Sequence, residues 1–148
     1  MKVSAKVECG IIALINIAVN SENNNIVTVS AISKQSNISA KYLEQILPFL
    51  KQAKLINSVK GASGGYVLAK EPDDISLYEI IKALDTTILS ISTFNEKLEP
   101  TAITAIEEYL WQPVTSFLQE YSNKLTLRVL ADRYSELKFS NDTFIYNI

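Results

Sequence analysis

Residues Val27 to Lys70 read as two short helical patterns across a polar turn, followed by a glycine-rich hairpin. Few folds accommodate that order. Thr28 is placed as N-cap of the first helix, with Val27 and Ile32 spaced for a hydrophobic staple. Ser39 does the same for the second, with Ile38 and Leu43 as its staple. Between them, Gln35-Ser36-Asn37 supplies side chains that turn the backbone and end the first helix. Leu43, Ile46, Leu47 and Leu50 fall on one helical face, with polar residues elsewhere. The runs LINSV and YVLA are β-prone and flank Lys60-Gly61-Ala62-Ser63-Gly64-Gly65, which is too glycine-rich for a helix. The expected fold class is therefore mainly α with a small β-hairpin, a winged helix-turn-helix. Its second helix is the usual DNA reader. The same layout also serves as a protein-interaction module, and the pattern alone leaves both readings open.

Charge separates the two more sharply than composition does. The net charge of −2 conceals a division along the chain. Up to Lys70, eight lysines stand against Glu8, Glu22 and Glu44, a balance of +5. Beyond it, thirteen acids oppose six bases, a balance of −7. A basic half suits phosphate, and the acidic half faces something else.

The remaining chain falls into helices around this unit. Val3, Val7, Ile11, Leu14, Ile15 and Ala18 predict a first helix over about residues 3–20. Pro48 removes a bond inside the reader helix, which predicts a kink beyond the reading turn of Ser39 to Gln45. Ser76 and Glu79 form a capping box for a short helix ending near Leu84. Thr86 to Glu99 reads as loop-like, and Pro100 opens a long helix from Thr101 to Tyr121 that Pro113 must bend or divide. Thr126 is placed to cap a last helix. The tail from Phe139 to Ile148 is apolar but has no readable structure. The division expected is residues 1–85 as the DNA-binding domain and 86–148 as linker, long helix and tail. The long helix carries more apolar surface than one winged helix can cover, so it packs back on its own domain or pairs with a second chain.

The wording of the segment adds to its pattern. ISAKYLEQIL, then LINSVKGASGGYVLAK and ISLYEIIKALD, closely resemble the Rrf-type winged-helix transcriptional regulators, the IscR/NsrR/CymR-like group. The likeness runs from Met1 to about Tyr134. With a cytoplasmic location as the default expectation, it implies a regulator, expected to be a repressor, that dimerises through the long helix on a palindromic double-stranded DNA operator. It implies DNA contacts from Lys2, Ser4 and Lys6, from Thr28, and from Ser39, Lys41, Tyr42, Glu44 and Gln45. The wing would add Lys60, Gly61, Ser63, Gly64 and Gly65. Glu44 can accept from cytosine N4 and Gln45 can pair with adenine. Lys60 stands where relatives carry an arginine, and its ammonium lacks that residue's planar fork. The chain departs from the family at Val7-Glu8-Cys9, where relatives carry a Gly-Arg-Tyr-like triplet, and at Lys54, where they carry a helix-ending glycine. A left-handed backbone at Lys54 would be costly.

Many relatives hold an iron–sulfur cluster through three cysteines before the long helix. Here the interval from Thr86 to Leu110 has none, so no cofactor is expected and the chain resembles the cysteine-poor branch. In that branch a partner protein supplies the signal. The effector expected here is a protein or a small molecule. With one cysteine, Cys9, and no histidine, the chain lacks a disulfide, a zinc cage and a histidine base. Its acids are scattered, which leaves no nucleophile–base pair for an enzyme. No apolar run approaches the roughly 18 residues of a membrane span, and no signal peptide is read at Met1-Lys2-Val3.

Overall fold

A computed structural model describes residues 2–90 and 97–146. Helix α1 spans Ala5–Asn20, α2 Val29–Ser36 and α3 Ala40–Gln52. Strands β1 (Ile56–Val59) and β2 (Gly65–Leu68) form an antiparallel hairpin in the register Ile56↔Leu68 to Val59↔Gly65. Then come α4 (Leu77–Leu84), α5 (Pro100–Ile106), α6 (Gln112–Lys124) and α7 (Leu127–Tyr146). The protein is mainly α with one small hairpin, as its patterning predicts.

The core lies where α1, α3 and α4 meet. Leu14, Ile17, Ile32, Leu43, Ile46, Leu47, Leu50 and Ile80 are fully buried there. Each such side chain contributes roughly 1.5–3 kcal/mol relative to exposure. Gly10 is the contact point of α1 with α4, because any Cβ there would collide with the Leu84 methyls. Both staples close on this core, since Val27 and Ile32, and Ile38 and Leu43, are buried pairs. The capping box of α4 is complete: Glu79 N–H donates to Ser76 Oγ at 3.1 Å, and Ser76 N–H to the Glu79 carboxylate at 2.9 Å. Burial pushes the Glu79 carboxyl up, yet the Lys70 and Ser76 donors outweigh it and hold the group below its ordinary range.

The helix ends follow from local chemistry. At the end of α3, Lys54 N–H donates to the Lys51 carbonyl at 2.9 Å and Leu55 N–H to the Leu50 carbonyl at 3.0 Å. These are the two bonds of a Schellman motif, with buried Leu50 and Leu55 as its apolar contact. Lys54 is its left-handed residue, at φ 60°.

The long helix begins at Pro100, capped by Glu99, whose carboxylate accepts from Thr101 N–H at 3.0 Å and Ala102 N–H at 2.7 Å. It reaches Lys124 rather than Tyr121, and Pro113 divides it. A single π turn, Glu107–Trp111, separates α5 from α6, with Gln112 N–H bonded to the Glu107 carbonyl. Pro113 cannot bond the carbonyl of Tyr109, and the wider turn absorbs that break.

The tail is resolved as helix: α7 continues through Phe139 to Tyr146, while Asn147 and Ile148 lie outside the described residues. Its first turns return to the core, where Leu127 and Ala131 are buried, and a bridge pairs Ser76 with Thr126. The expected loop from Thr86 to Glu99 is a turn up to Leu89, whose carbonyl accepts from the Gln119 amide at 2.9 Å. The part at 91–96 lies outside the described residues.

Candidate nucleic-acid interface

The reader helix is displayed by a turn with few free groups. Asn37 ends α2 at φ 57°, a left-handed geometry that asparagine tolerates. Ser33 Oγ donates to the Ile38 carbonyl and Ser36 Oγ to the Ile32 carbonyl, each at 2.6 Å. Ser39 then caps α3 by accepting from Tyr42 N–H at 3.1 Å. With Leu43, Ile46, Leu47 and Leu50 buried, the opposite face presents Lys41, Glu44, Gln45 and Pro48 to solvent at helical spacing. Tyr42 is half-buried against the core. Pro48 does not end the helix, which runs unbroken from Ala40 to Gln52.

The wing is held from two sides. β2 pairs with β1 and also with Val27: Val27 N–H donates to the Tyr66 carbonyl at 2.9 Å and Tyr66 N–H to the Val27 carbonyl at 2.8 Å. Its tip closes by a bond from Gly64 N–H to the Gly61 carbonyl at 3.0 Å, with Gly61 at φ 120°. Lys60, Gly61 and Ser63 are exposed at this tip. Gly64 and Gly65 have an internal reason to be glycine. A Cβ would strike the Val59 carbonyl at the first and the Val27 carbonyl at the second.

At the N-terminus of α1, Ser4 Oγ accepts from Val7 N–H at 3.4 Å, and Lys2 is exposed. Thr28 likewise caps α2, accepting from Ala31 N–H at 3.1 Å. The hydroxyls of Ser4, Thr28 and Ser39 thus each hold a helix end. Lys6 behaves differently from Lys2. It is half-buried, and its Nζ lies 3.3 Å from the centroid of the Phe49 ring. Phe49 is a residue that sequence reading passed over, because no local pattern links it to α1.

The charges around these residues are largely uncompensated. Among the described residues, Lys2, Lys34, Lys41, Lys51, Lys54 and Lys60 form no ion pair, while Lys70, Lys124, Arg128 and Arg133 all do. Lys34 and Lys51, both exposed, therefore join the free basic surface although no motif singled them out.

A stapled two-helix unit, a polar row on the second helix and a closed hairpin with free lysines define a winged helix-turn-helix protein. Comparison with known proteins agrees. The sequence profile of Rrf2, described as iron-dependent transcriptional regulator, matches residues 3–133. The HTH-type transcriptional regulator CymR of Bacillus subtilis (strain 168) is 32% identical over 131 residues, covering 88% of this chain and 90% of CymR. IscR of Enterobacter sp. (strain 638) is 29% identical, covering 95% of this chain and 85% of IscR. The solved structure of B. subtilis CymR, titled the global cysteine regulator, superposes with a TM-score of 0.74 over 90% of this chain and 98% of that one. The structure of T. potens IscR gives 0.69 at 29% identity over 93% of this chain and 90% of that one. The chain belongs to the Rrf2 family of winged-helix transcriptional regulators, proteins that bind DNA and are not enzymes.

The family description implies iron, and this chain's donors do not fit an iron–sulfur cluster. Such clusters are held by several thiolates. Cys9 is the single cysteine of the chain, which also has no histidine. It is half-buried on α1, and burial, with the neighbouring Glu8 carboxylate, pushes its thiol up, away from the thiolate a metal needs. Among the described residues, no group of three or more histidine, cysteine, aspartate or glutamate side chains is placed to hold a metal ion. No helix there is long and apolar enough to cross a membrane.

Proposed function

We propose that the protein represses transcription as a homodimer on a palindromic operator, without an iron–sulfur cluster as its sensor. The observation that carries DNA reading is the solvent-facing row Lys41, Glu44 and Gln45 at the start of α3, beside a wing tip bearing the unpaired Lys60. Lysine supplies charge to phosphates, Glu44 accepts from cytosine N4, and Gln45 bonds adenine. Lys2, Ser4, Thr28, Ser39 and Tyr42 hold the backbone register. Lys60, Gly61, Ser63, Gly64 and Gly65 bring the wing to the sugar–phosphate edge.

The α5–α6 face supports pairing of two chains. Ile106, Tyr109, Leu110, Val114, Phe117 and Tyr121 are all exposed, Tyr109 at 85% and Phe117 at 67%. An isolated monomer rarely keeps such a patch in water. A two-fold pair would place two reader helices about one DNA turn apart, roughly 34–36 Å. The signal would come from an effector protein or small molecule.

Binding to a palindrome from the gene's own upstream region, measured by gel shift across a salt series, tests the reading. Affinity falling linearly on a log–log salt plot, at two chains per operator, is the expected result. Salt-independent or absent binding would instead leave an interaction module. Protein purified without oxygen is expected to be colourless, and stoichiometric iron with sulfide would overturn the cluster-free reading.

A further inference from the structure

We propose that Lys6 is a positioning residue for the reader helix: its ammonium, seated on the Phe49 ring, clamps the first turn of α1 to the last turns of α3 and makes no phosphate contact. The inference rests on the DNA-reading role of α3. Three observations carry it. The first is the geometry. Lys6 Nζ lies 3.3 Å from the ring centroid, well inside the roughly 6 Å within which a cation is held by an aromatic face. The other two such contacts, Lys82 on Tyr78 and Lys138 on Tyr134, are 5.8 Å apart and join neighbours on one helix. Only the Lys6 contact, among these three, ties two helices together.

The second observation is where Phe49 sits. It is 42% exposed, on a helix whose core face is already complete with Leu43, Ile46, Leu47 and Leu50. Core packing therefore gives no reason for a ring there, whereas a platform for a cation does. Lys6 is in turn half-buried, with its ammonium over that ring. Asp85, at the end of α4, lies close enough to feel its charge. Its carboxyl is held below the ordinary range mainly by Thr87 donors, with a small contribution from Lys6. Lys6 therefore stands among α1, α3 and the end of α4.

The third observation is Pro48, one residue before Phe49. Proline has no N–H, so the Glu44 carbonyl loses its partner in the α3 ladder. The reading turn is joined to the rest of α3 through a helix short of one bond. Fixing the second half of α3 to α1 restores, through tertiary contact, stiffness that the ladder lacks.

The test uses the full chain and four variants: Lys6→Met, Phe49→Leu, the pair together, and Lys6→Arg, with thermal melts to confirm folding. In the free protein, the ε-methylene protons of Lys6 should shift upfield under the ring current and move back in Phe49→Leu. An unshifted signal in the wild type overturns the clamp, whether or not the protein binds DNA. On operator DNA, Lys6→Met and Phe49→Leu should weaken binding by the same factor, about threefold to tenfold. The double variant should lose no more than either alone, and Lys6→Arg should recover most of the affinity. The log-affinity versus log-salt slope should stay unchanged in all four. A slope flatter by about 1 in Lys6→Met, with Phe49→Leu silent, would make Lys6 a phosphate contact instead. Additive losses, or no loss in either single variant, would equally sink the proposal. Absence of any salt-dependent DNA binding by the wild type would count against the DNA reading, and the ring-current arm would still judge the contact.

Discussion

The N-terminal module and the α5–α6 helix use apolar residues in opposite ways. In the module, Leu43, Ile46, Leu47 and Leu50 turn inward and leave a polar row outside. Along α5 and α6, no large apolar side chain is fully buried, and Tyr109 and Phe117 stand in solvent. Their charges are opposed as well. The module's lysines are mostly unpaired, whereas Lys124 is bridged to Glu120 within α6. One region satisfies its hydrophobic surface by itself and presents charge. The other leaves its hydrophobic surface unsatisfied. On the proposed reading, the first face meets a polyanion and the second another protein surface.

The contrast breaks most visibly in stability. Leu47→Ala should destabilise the protein by about 2–5 kcal/mol, because the site is fully enclosed. Phe117→Ala should leave the unfolding free energy of the dissociated chain within about 0.5 kcal/mol. Chemical denaturation at low protein concentration compares them directly. A comparable loss at Phe117 would mean that this face is packed within the monomer.

Association should show the reverse order. Phe117→Asp should weaken dimerisation by about 2–4 kcal/mol, the range of a central interface residue. Operator binding should weaken with it. Sedimentation at micromolar concentrations decides this. A variant that stays dimeric, or a wild type that is monomeric yet binds a palindrome with full affinity, would remove the α5–α6 face from the interface.

Within the module, the reader and the wing should separate from each other. Glu44→Ala should relax base preference at one position per half-site, a loss of about 1–3 kcal/mol of discrimination. Lys60→Ala should weaken all operator variants alike and flatten the salt slope by up to about 1. A panel of single-base operator variants reads both. If Glu44→Ala merely tightens binding to every sequence, its carboxylate only repels phosphate and reads no base.

What could be read in advance follows how local each signal is. The caps at Thr28, Ser39 and Ser76 need only a few neighbouring residues, and the staples at Val27/Ile32 and Ile38/Leu43 likewise. Pro113 announces a break, though not that a π turn would absorb it. The helical tail was not legible because α7 beyond Tyr134 has no single apolar stripe: Phe139, Phe144, Ile145 and Tyr146 are scattered and exposed. The seat of Lys6 on Phe49 was hidden for another reason. It is a contact between distant segments, to which periodicity is blind. The same holds for Gly64 and Gly65, whose need for glycine lies in carbonyls of β1 and of Val27 brought close by pairing.

A small stabilising effect is expected at the joint between reader and wing. Lys54 occupies the left-handed position of the Schellman motif at φ 60°, which a side chain disfavours and glycine accepts freely. The residue is exposed and forms no ion pair among the described residues, so removing its side chain forfeits no packing there. Glycine also has more freedom to lose on folding, and that offsets part of the gain. Lys54→Gly should therefore stabilise the protein by about 0.5–1 kcal/mol. Lys54→Ala, which keeps the Cβ, should gain nothing. A thermal melt of the two variants separates the causes. If alanine stabilises as much as glycine, the cost at this position is charge repulsion among the module's free lysines and not backbone geometry. In that case raising the salt should abolish the gain, whereas a conformational gain should persist at any ionic strength.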